Sequence, residues 1–148
     1  MGTIRAHSDS EIQARKDDIL RSATDLLLHG DWGSLTLATV AEKTSISRPS
    51  MYNYYKVKEE IFLDLMIREY ADWKRDLEAR LEAKLSRADF CAALVDSLWT
   101  RDLLTMLIAL YSEVPQEKCR TDFVERYHSE THQFYTWFSG VLARQFPA

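Results

Sequence analysis

Hydrophobic residues recur along most of the chain at intervals of three and four, which is the period of an amphipathic helix. The first helix is predicted over residues 11–29, where Gly30 would stop it, and a second over residues 36–43. A third is expected to begin after Ser47, its cap, and to run to about Tyr54. The apolar stripe of the first helix consists of Ile12, Ile19, Ala23, Leu26 and Leu27.

Four further helices are predicted in the rest of the chain. The fourth covers about residues 58–85, and Ser86 is placed to cap the fifth. The sixth is the strongly apolar segment of residues 101–114, and the last runs from about Glu117 to beyond Phe138. No stretch shows the alternation of a half-buried strand, so the sequence predicts an all-α protein.

Residues 36–58 have the layout of a helix-turn-helix, in which a short helix, a tight turn and a second, polar and basic helix follow one another. Pro49 falls in the first turn of the second of these helices, where a missing N–H costs nothing. Ser45 stands in the turn where left-handed geometry is expected, so a little backbone strain is predicted there. The side chains expected to be buried are Val40, Ala41, Ile46 and Met51, with Thr36 as N-cap of the first helix.

The charge of the chain is unevenly distributed. The formal net charge is −4, yet residues 43–58 hold four cationic side chains and no acid. Residues 1–58 carry a balance of +1 and residues 59–148 one of −5, which suggests a polyanion-facing part on an acidic body. Solvated acidic helices would give the same asymmetry.

Composition narrows the class of protein. No apolar run approaches the length of about 18 residues that a membrane span needs. Residues 1–11 lack the apolar core of a signal peptide, so we expect a cytoplasmic protein. Cys91 and Cys119 form no close-spaced motif, and each is predicted to be a reduced, buried thiol.

The helix-turn-helix resembles that of the TetR family of transcriptional regulators. Residues 36–58 read T-L-A-T-V-A-E-K-T-S-I-S-R-P-S-M-Y-N-Y-Y-K-V-K, close to the family's usual pattern, and the preceding stretch ILRSATDLLLHGDWGSLT also resembles it. Ser45 departs from the commonest residue, glycine. The resemblance implies a DNA-binding domain over residues 1–57 and a helical ligand-binding and dimerisation domain over residues 58–148.

The resemblance also implies roles for individual side chains. Arg48 would read guanine in the major groove, and Pro49 and Ser50 would lie near base edges or thymine methyl groups. The others would contact phosphates, which position the helix without reading sequence. The residues assigned to DNA binding are Thr36, Arg48, Pro49, Ser50, Tyr52, Tyr54 and Lys58.

Four neighbouring residues have less definite roles. Tyr55 is expected in the core, and Asn53 either reads adenine or faces away from the DNA. Lys43 and Lys56 are either specific contacts or solvated charge.

The second domain is expected to hold an effector pocket for a small apolar or aromatic molecule. Trp99 and Tyr111 are the leading candidates, since each adds one hydrogen-bonding group to a large ring. Any of the candidates could instead simply fill the core. The predicted ligand-binding residues are Phe90, Leu94, Trp99, Leu103, Met106, Leu107, Tyr111, Tyr127, His128 and Phe134, and Leu110 and Trp137 are further apolar candidates.

Glu125, His128 and His132 share a helical face at a spacing that suits zinc or nickel, but only three ligands are present. We therefore predict no metal and no other cofactor, and expect a hydrogen-bonding or pH-sensitive role for the histidines. The sequence lacks a glycine-rich phosphate loop, HExxH and a recognisable nucleophile motif, so no enzymatic activity is predicted.

The predicted function is that of a ligand-responsive repressor, which binds a pseudo-palindromic operator as a homodimer and is released by its effector. The resemblance implies a longer chain whose last two helices pair across the dimer axis. This chain is therefore either a compact member that dimerises through its last helix or a shortened form. The apolar end formed by Trp137, Phe138, Val141, Leu142 and Phe146 suits a partner helix or the chain's own core. The alternative function is a helical interaction or sensor module that has lost DNA binding.

Overall fold

The structure is a computed structural model that describes residues 8–148. The expectation that the chain lacks a signal peptide falls partly on the first seven residues, which lie outside the described residues. Throughout residues 8–148 the regular structure is helical and no strand is present, so the all-α prediction is confirmed. The α-helices are α1 (Asp9–His29), α2 (Leu37–Glu42), α3 (Arg48–Met51), α4 (Lys58–Arg80), α5 (Arg87–Trp99), α6 (Asp102–Leu110) and α7 (Thr121–Gln145).

Side-chain caps begin four of these helices. Thr36, Ser47 and Ser86 each accept a hydrogen bond from the backbone N–H three residues on, so all three predicted caps are confirmed. The fourth cap was missed. Ser8 and Glu11 form a reciprocal capping box, which starts α1 two residues earlier than the hydrophobic pattern indicated.

Helices α3 and α4 end earlier than predicted. Helix α3 ends at Met51 rather than Tyr54, because the N–H groups of Asn53 and Tyr54 bond three residues back and tighten the last turn. Helix α4 ends at Arg80 rather than Leu85, and the N–H of Leu85 is bonded to a side chain instead.

The last helix begins at Thr121 rather than Glu117. The segment around Glu117 forms a separate 3₁₀ turn, Gln116–Lys118, directly after Pro115. A second 3₁₀ turn, Tyr111–Glu113, follows α6, so the apolar segment of residues 101–114 is not one continuous helix.

The chain divides into two compact units, of which the first ends at Ile61 and the second is Phe62–Ala148. The first unit contains α1, α2, α3 and the beginning of α4. Its fully buried side chains include Ile19, Leu27, Leu35, Met51 and Tyr55.

Gln145 closes one end of the second unit. Its Oε1 accepts from the N–H of Leu85 at 2.9 Å, while its Nε2 donates to the carbonyl groups of Leu81 and Ala83 at 3.1 and 2.7 Å. The side chain is almost completely buried. A single amide near the end of α7 therefore satisfies three backbone groups of the segment between α4 and α5.

Aromatic rings from α4 and α7 form the centre of the second unit. Trp73 stacks on Phe134 with ring centroids 5.1 Å apart, and its indole Nε1 donates to the buried Ser97 hydroxyl at 2.9 Å. Tyr70 meets the same phenylalanine edge to face at 4.9 Å.

Among the described residues, no helix combines the length and apolar character that crossing a bilayer requires.

Candidate nucleic-acid interface and ligand pocket

The turn between α2 and α3 is held by a threonine. The hydroxyl of Thr44 donates to the carbonyl of Ala41 at 3.0 Å and accepts from the N–H of Ile46 at 3.1 Å. No described non-glycine residue has a positive φ. The prediction that Ser45 would adopt left-handed, strained geometry is therefore wrong, since Thr44 closes the turn with ordinary dihedral angles.

The inner side of the helix-turn-helix is apolar, as the sequence predicted. Val40 and Met51 are completely buried, and Ala41 and Ile46 nearly so. The small side chain of Ala41 leaves room for the close contact between α2 and α3. This packing fixes which face of the short helix α3 remains outside.

The outer face of α3 and its C-terminal turn is polar and accessible. Arg48, Pro49, Tyr52 and Asn53 are exposed, while Ser50 is half-buried and its hydroxyl accepts from the Ser47 hydroxyl at 2.8 Å. One arginine, one amide and one phenol are thus presented together by a helix whose opposite side is anchored. That composition suits hydrogen bonding to phosphates and base edges.

Two of the residues predicted to contact phosphates are buried or already hydrogen-bonded within the first unit. Tyr54 keeps only 8% of its surface exposed, next to the completely buried Tyr55. Thr36 is exposed, but its hydroxyl accepts from the N–H of Thr39 at 3.0 Å as the cap of α2. Tyr55 lies in the core, as expected.

The lysines of this region have partners within the first unit. Lys58 donates from Nζ to the carbonyl of Trp32 at 2.7 Å, and the ammonium lies 4.3 Å from the centroid of the Trp32 ring. Lys56 donates to the carbonyl of Tyr52 at 2.6 Å. These contacts hold both cations close to the candidate interface.

Lys43 forms an ion pair with Asp25 at 2.6 Å. Its hydrogen bond and charge lower the pKa of the Asp25 carboxyl. Both side chains are largely exposed, so the pair contributes little to stability.

A carboxylate missed by the sequence analysis supports the approach to α4. Glu60 is completely buried, and its Oε2 accepts from the backbone N–H of Lys56 at 2.7 Å. As an acidic residue in the first turn of α4, Glu60 suits the positive end of the helix. Its additional role is to tie the segment after α3 to the first turn of α4.

The chain matches a family model described as bacterial regulatory proteins, tetR family, over residues 19–65. The match covers α2, the turn, α3 and the start of α4, which are the elements that build the exposed face described above. Residues 19–65 therefore resemble the regulatory domain of the tetR family. No curated protein matches the chain.

The match to this regulatory domain supports a DNA-binding transcriptional regulator. The family match ends at residue 65 and thus leaves the helices after α4 without a matched relative. Their function has to be inferred from their own geometry.

A cavity of about 330 Å³ opens in the second unit. The structure brings three predicted ligand residues, Tyr111, Tyr127 and His128, together on its wall. The other lining residues were not identified from the sequence. They are Met66 and Tyr70 of α4, Ile108 of α6, and Thr131 and Tyr135 of α7.

The tyrosines of this cavity are buried to different degrees. Tyr70 and Tyr127 are buried, which raises the pKa of both phenols and keeps them protonated at neutral pH. Tyr135 and His128 are exposed and mark the opening. The cavity is therefore a cleft with protonated phenols at its base and one imidazole at its rim.

The remaining predicted ligand residues lie elsewhere. Leu103 and Leu107 are buried, Leu94, Met106 and Leu110 are half-buried, and none of the five lines this cleft. Phe90 packs against Phe138 and Phe146, whereas Phe134 and Trp137 belong to the aromatic centre of the unit.

Trp99 is 81% exposed and lines a separate, open groove together with Val95 and Leu98. It was a leading ligand candidate because of its large ring. The structure places it apart from Tyr111, the other leading candidate.

The sequence pattern of two histidines and a glutamate does not form a metal site. Glu125, His128 and His132 are all exposed, and the described part of the chain contains no cluster of three side chains able to hold a metal ion.

The cysteines are free thiols, but Cys91 is exposed, so the prediction of a buried thiol is wrong there. Its position on α5 faces solvent, whereas Cys119 is half-buried.

The apolar end of the chain contributes only partly to its own core. Val141 is buried, Phe138 and Phe146 are half-buried, and Leu142 is exposed. Phe146 contacts Phe90 edge to face with ring centroids 5.1 Å apart. The α7 surface thus keeps some apolar area at Leu142.

Proposed function

We propose that the protein is a cytoplasmic, ligand-responsive transcriptional repressor that binds a pseudo-palindromic operator as a homodimer. The observation that carries the proposal is the outer face of α3, where Arg48, Tyr52 and Asn53 are exposed while Met51 on the opposite side is completely buried. A short, anchored helix with an exposed polar face is the arrangement that a recognition helix needs in the major groove.

In this proposal, residues 1–57 bind DNA and residues 58–148 bind the effector and dimerise. Arg48 donates two hydrogen bonds to guanine, and Pro49 and Ser50 lie near the bases. The hydroxyl groups of Thr36, Tyr52 and Tyr54 and the ammonium of Lys58 contact phosphates.

Lys58 is the residue whose environment most affects this assignment. Its ammonium is already held by the Trp32 carbonyl and ring, so a phosphate would have to share or replace those contacts. The N–H groups of the first turn of α4 favour an anion at the same place. We therefore infer that Lys58 adds a sequence-independent share of the affinity.

The tyrosine-lined cleft is the proposed effector site. Its lining residues Met66 and Tyr70 belong to α4, the helix that begins at Lys58. A ligand that binds better to one position of α4 than to another shifts the balance between them by its difference in affinity. Effector binding would move α4, alter the spacing of the two recognition helices in the dimer, and thereby release the operator.

The first test is selection of bound duplexes from a random DNA pool with the full chain, followed by light scattering of the complex. We expect a two-fold symmetric site bound by an even number of chains, with affinity that falls steeply with salt. Recovery of no duplex, or binding insensitive to salt, would instead favour the interaction module that has lost DNA binding. A single half-site bound by one chain would contradict the dimer.

A further inference from the structure

The tyrosine-lined cleft contains two pairs of phenols. The hydroxyl oxygens of Tyr70 and Tyr135 lie 3.1 Å apart, within hydrogen-bond distance. Tyr111 and Tyr127 form the second pair, with ring centroids 5.8 Å apart. All four rings line the same cavity.

Each pair has at least one hydroxyl hydrogen left to donate. A phenol carries a single O–H and can accept as well, so the O–H···O bond between Tyr70 and Tyr135 uses only one of their two hydrogens. This holds whichever member of the pair is the donor. The two pairs together therefore offer at least two hydrogen-bond donors to a molecule in the cleft.

The rest of the lining carries no formal charge. Met66 and Ile108 are apolar, and the hydroxyl of Thr131 already donates to the carbonyl of Tyr127 at 2.8 Å. No Asp, Glu, Lys or Arg is among the lining residues, and the one histidine, His128, lies at the exposed rim.

The donors and the uncharged lining of the cleft favour one of three classes of ligand: anionic, cationic or neutral. An anion would lose its hydration without a lysine or arginine to replace it, in a unit that carries fourteen acidic and eleven basic side chains. A cation would find no carboxylate in the lining and would meet the spare hydroxyl hydrogens with the wrong polarity, so only the ring faces would attract it. A neutral molecule with an acceptor atom satisfies the hydroxyl groups and covers the rings.

We propose that the cleft binds a small, neutral aromatic molecule that carries a hydrogen-bond acceptor oxygen, as in an aromatic ketone or lactone. The inference rests on the effector role proposed above and names the chemical class for that site. The acceptor oxygen takes a hydrogen from one of the phenol pairs, and the aromatic ring packs against Met66 and the tyrosine rings. The cavity volume of about 330 Å³ limits the ligand to one or two fused rings.

The test compares two probes of the same shape with the full chain in the absence of DNA. Acetophenone carries a carbonyl oxygen, and α-methylstyrene has a CH₂ group in its place. Affinities are measured by ligand-observed NMR, with benzoate and phenyltrimethylammonium as the anionic and cationic probes. We expect acetophenone to bind about fivefold more tightly than α-methylstyrene, the equivalent of about 1 kcal/mol for one hydrogen bond.

Equal affinities for the two neutral probes would overturn the role of the hydroxyl groups, and tighter binding of either charged probe would overturn the neutral class. Absence of binding by all four would overturn the site itself. Because no DNA is present, each of these results is independent of whether the protein binds an operator.

Double variants identify the donor. Removing both hydroxyls of a pair leaves no orphaned partner, so Tyr70→Phe with Tyr135→Phe, and Tyr111→Phe with Tyr127→Phe, should stay folded. At least one double variant should lose the preference for acetophenone while its affinity for α-methylstyrene is unchanged. Persistence of the preference in both would contradict the proposal. Ser129→Ala, which removes an exposed hydroxyl of α7 that does not line the cleft, is the control.

Discussion

The two units of this chain carry their chemistry in different ways. In the first, the candidate interface is a continuous stretch from Thr36 to Lys58, and its polar groups follow from the position of each residue in a helix-turn-helix. In the second, the cleft is assembled from side chains of α4, α6, α7 and the turn at Tyr111, which lie far apart in sequence. A local motif specifies its own site, whereas the cleft exists only when several elements pack.

The two candidate sites also differ in the charged side chains that surround them. Lys43, Lys56 and Lys58 are each held by a partner in the first unit, and the neighbouring Arg48 is exposed. The lining of the cleft contains no Asp, Glu, Lys or Arg. The proposed surface for a polyanion and the proposed cleft for a neutral molecule thus differ in the charge of their side chains, as the two proposed partners do.

The largest effect is expected from the buried side of the helix-turn-helix. Met51→Ala removes a completely buried side chain, so the free energy of unfolding should fall by about 2–5 kcal/mol. Urea denaturation followed by circular dichroism measures it. Asn53→Ala, two residues away and exposed, should change it by no more than about 0.5 kcal/mol. Similar losses in both variants would mean that α3 has no distinct inner and outer face.

In the second unit, Gln145→Leu should be the most costly polar change. The leucine leaves the N–H of Leu85 and the carbonyl groups of Leu81 and Ala83 without their partner, a loss of about 2–3 kcal/mol in unfolding free energy. Thermal and urea denaturation provide the measurement. Gln133→Leu, an exposed glutamine on the same helix, is the control and should be nearly neutral. If the two variants were equally stable, water would replace the Gln145 amide without cost.

Most of the first unit could be predicted from the sequence because its information is local. Caps at Thr36 and Ser47 and the buried positions Val40 and Met51 all follow from residue type and helical spacing. Two errors had local causes as well. The capping box of Ser8 and Glu11 was present in the sequence and overlooked, and strain at Ser45 was expected where Thr44 had a better way to close the turn.

The second unit was predictable only as a set of helices. Helical spacing marks Leu107 and Tyr127 alike as inward-facing, but cannot tell which of them borders a cavity. Trp99 shows the limit most clearly, since ring size suggested a pocket residue and the structure leaves it exposed. Tyr70 and Tyr135 went unnoticed because their pairing joins residues 65 positions apart.

Substitutions at the DNA interface should distinguish the residue that reads the base sequence from the residues that contact phosphates. Arg48→Ala should relax the preference at one base position of each half-site, at a cost of about 1–3 kcal/mol in discrimination, while leaving the fold intact. Lys58→Ala should weaken binding to all sequences alike and reduce the salt slope by about one. Competition binding with single-base variants of the selected operator, at several salt concentrations, measures both. Unchanged base preference in Arg48→Ala would remove Arg48 as the reader.

The smallest expected changes in the free energy of unfolding come from replacing one glycine in each unit by alanine. The two changes should have opposite signs. A Cβ at Gly30 would lie 2.9 Å from the carbonyl oxygen of Leu26, which is backbone and cannot move aside, so Gly30→Ala should destabilise by about 1–2 kcal/mol. A Cβ at Gly140, inside α7, meets no atom within 4 Å, so Gly140→Ala should stabilise by about 0.5–1 kcal/mol through helix propensity. Neither glycine has a positive φ, so neither substitution forces an unfavourable backbone conformation. The difference in stability between the two variants therefore reports the steric contact of the added Cβ. Stabilisation by Gly30→Ala would show that the end of α1 adapts more readily than its close contact indicates.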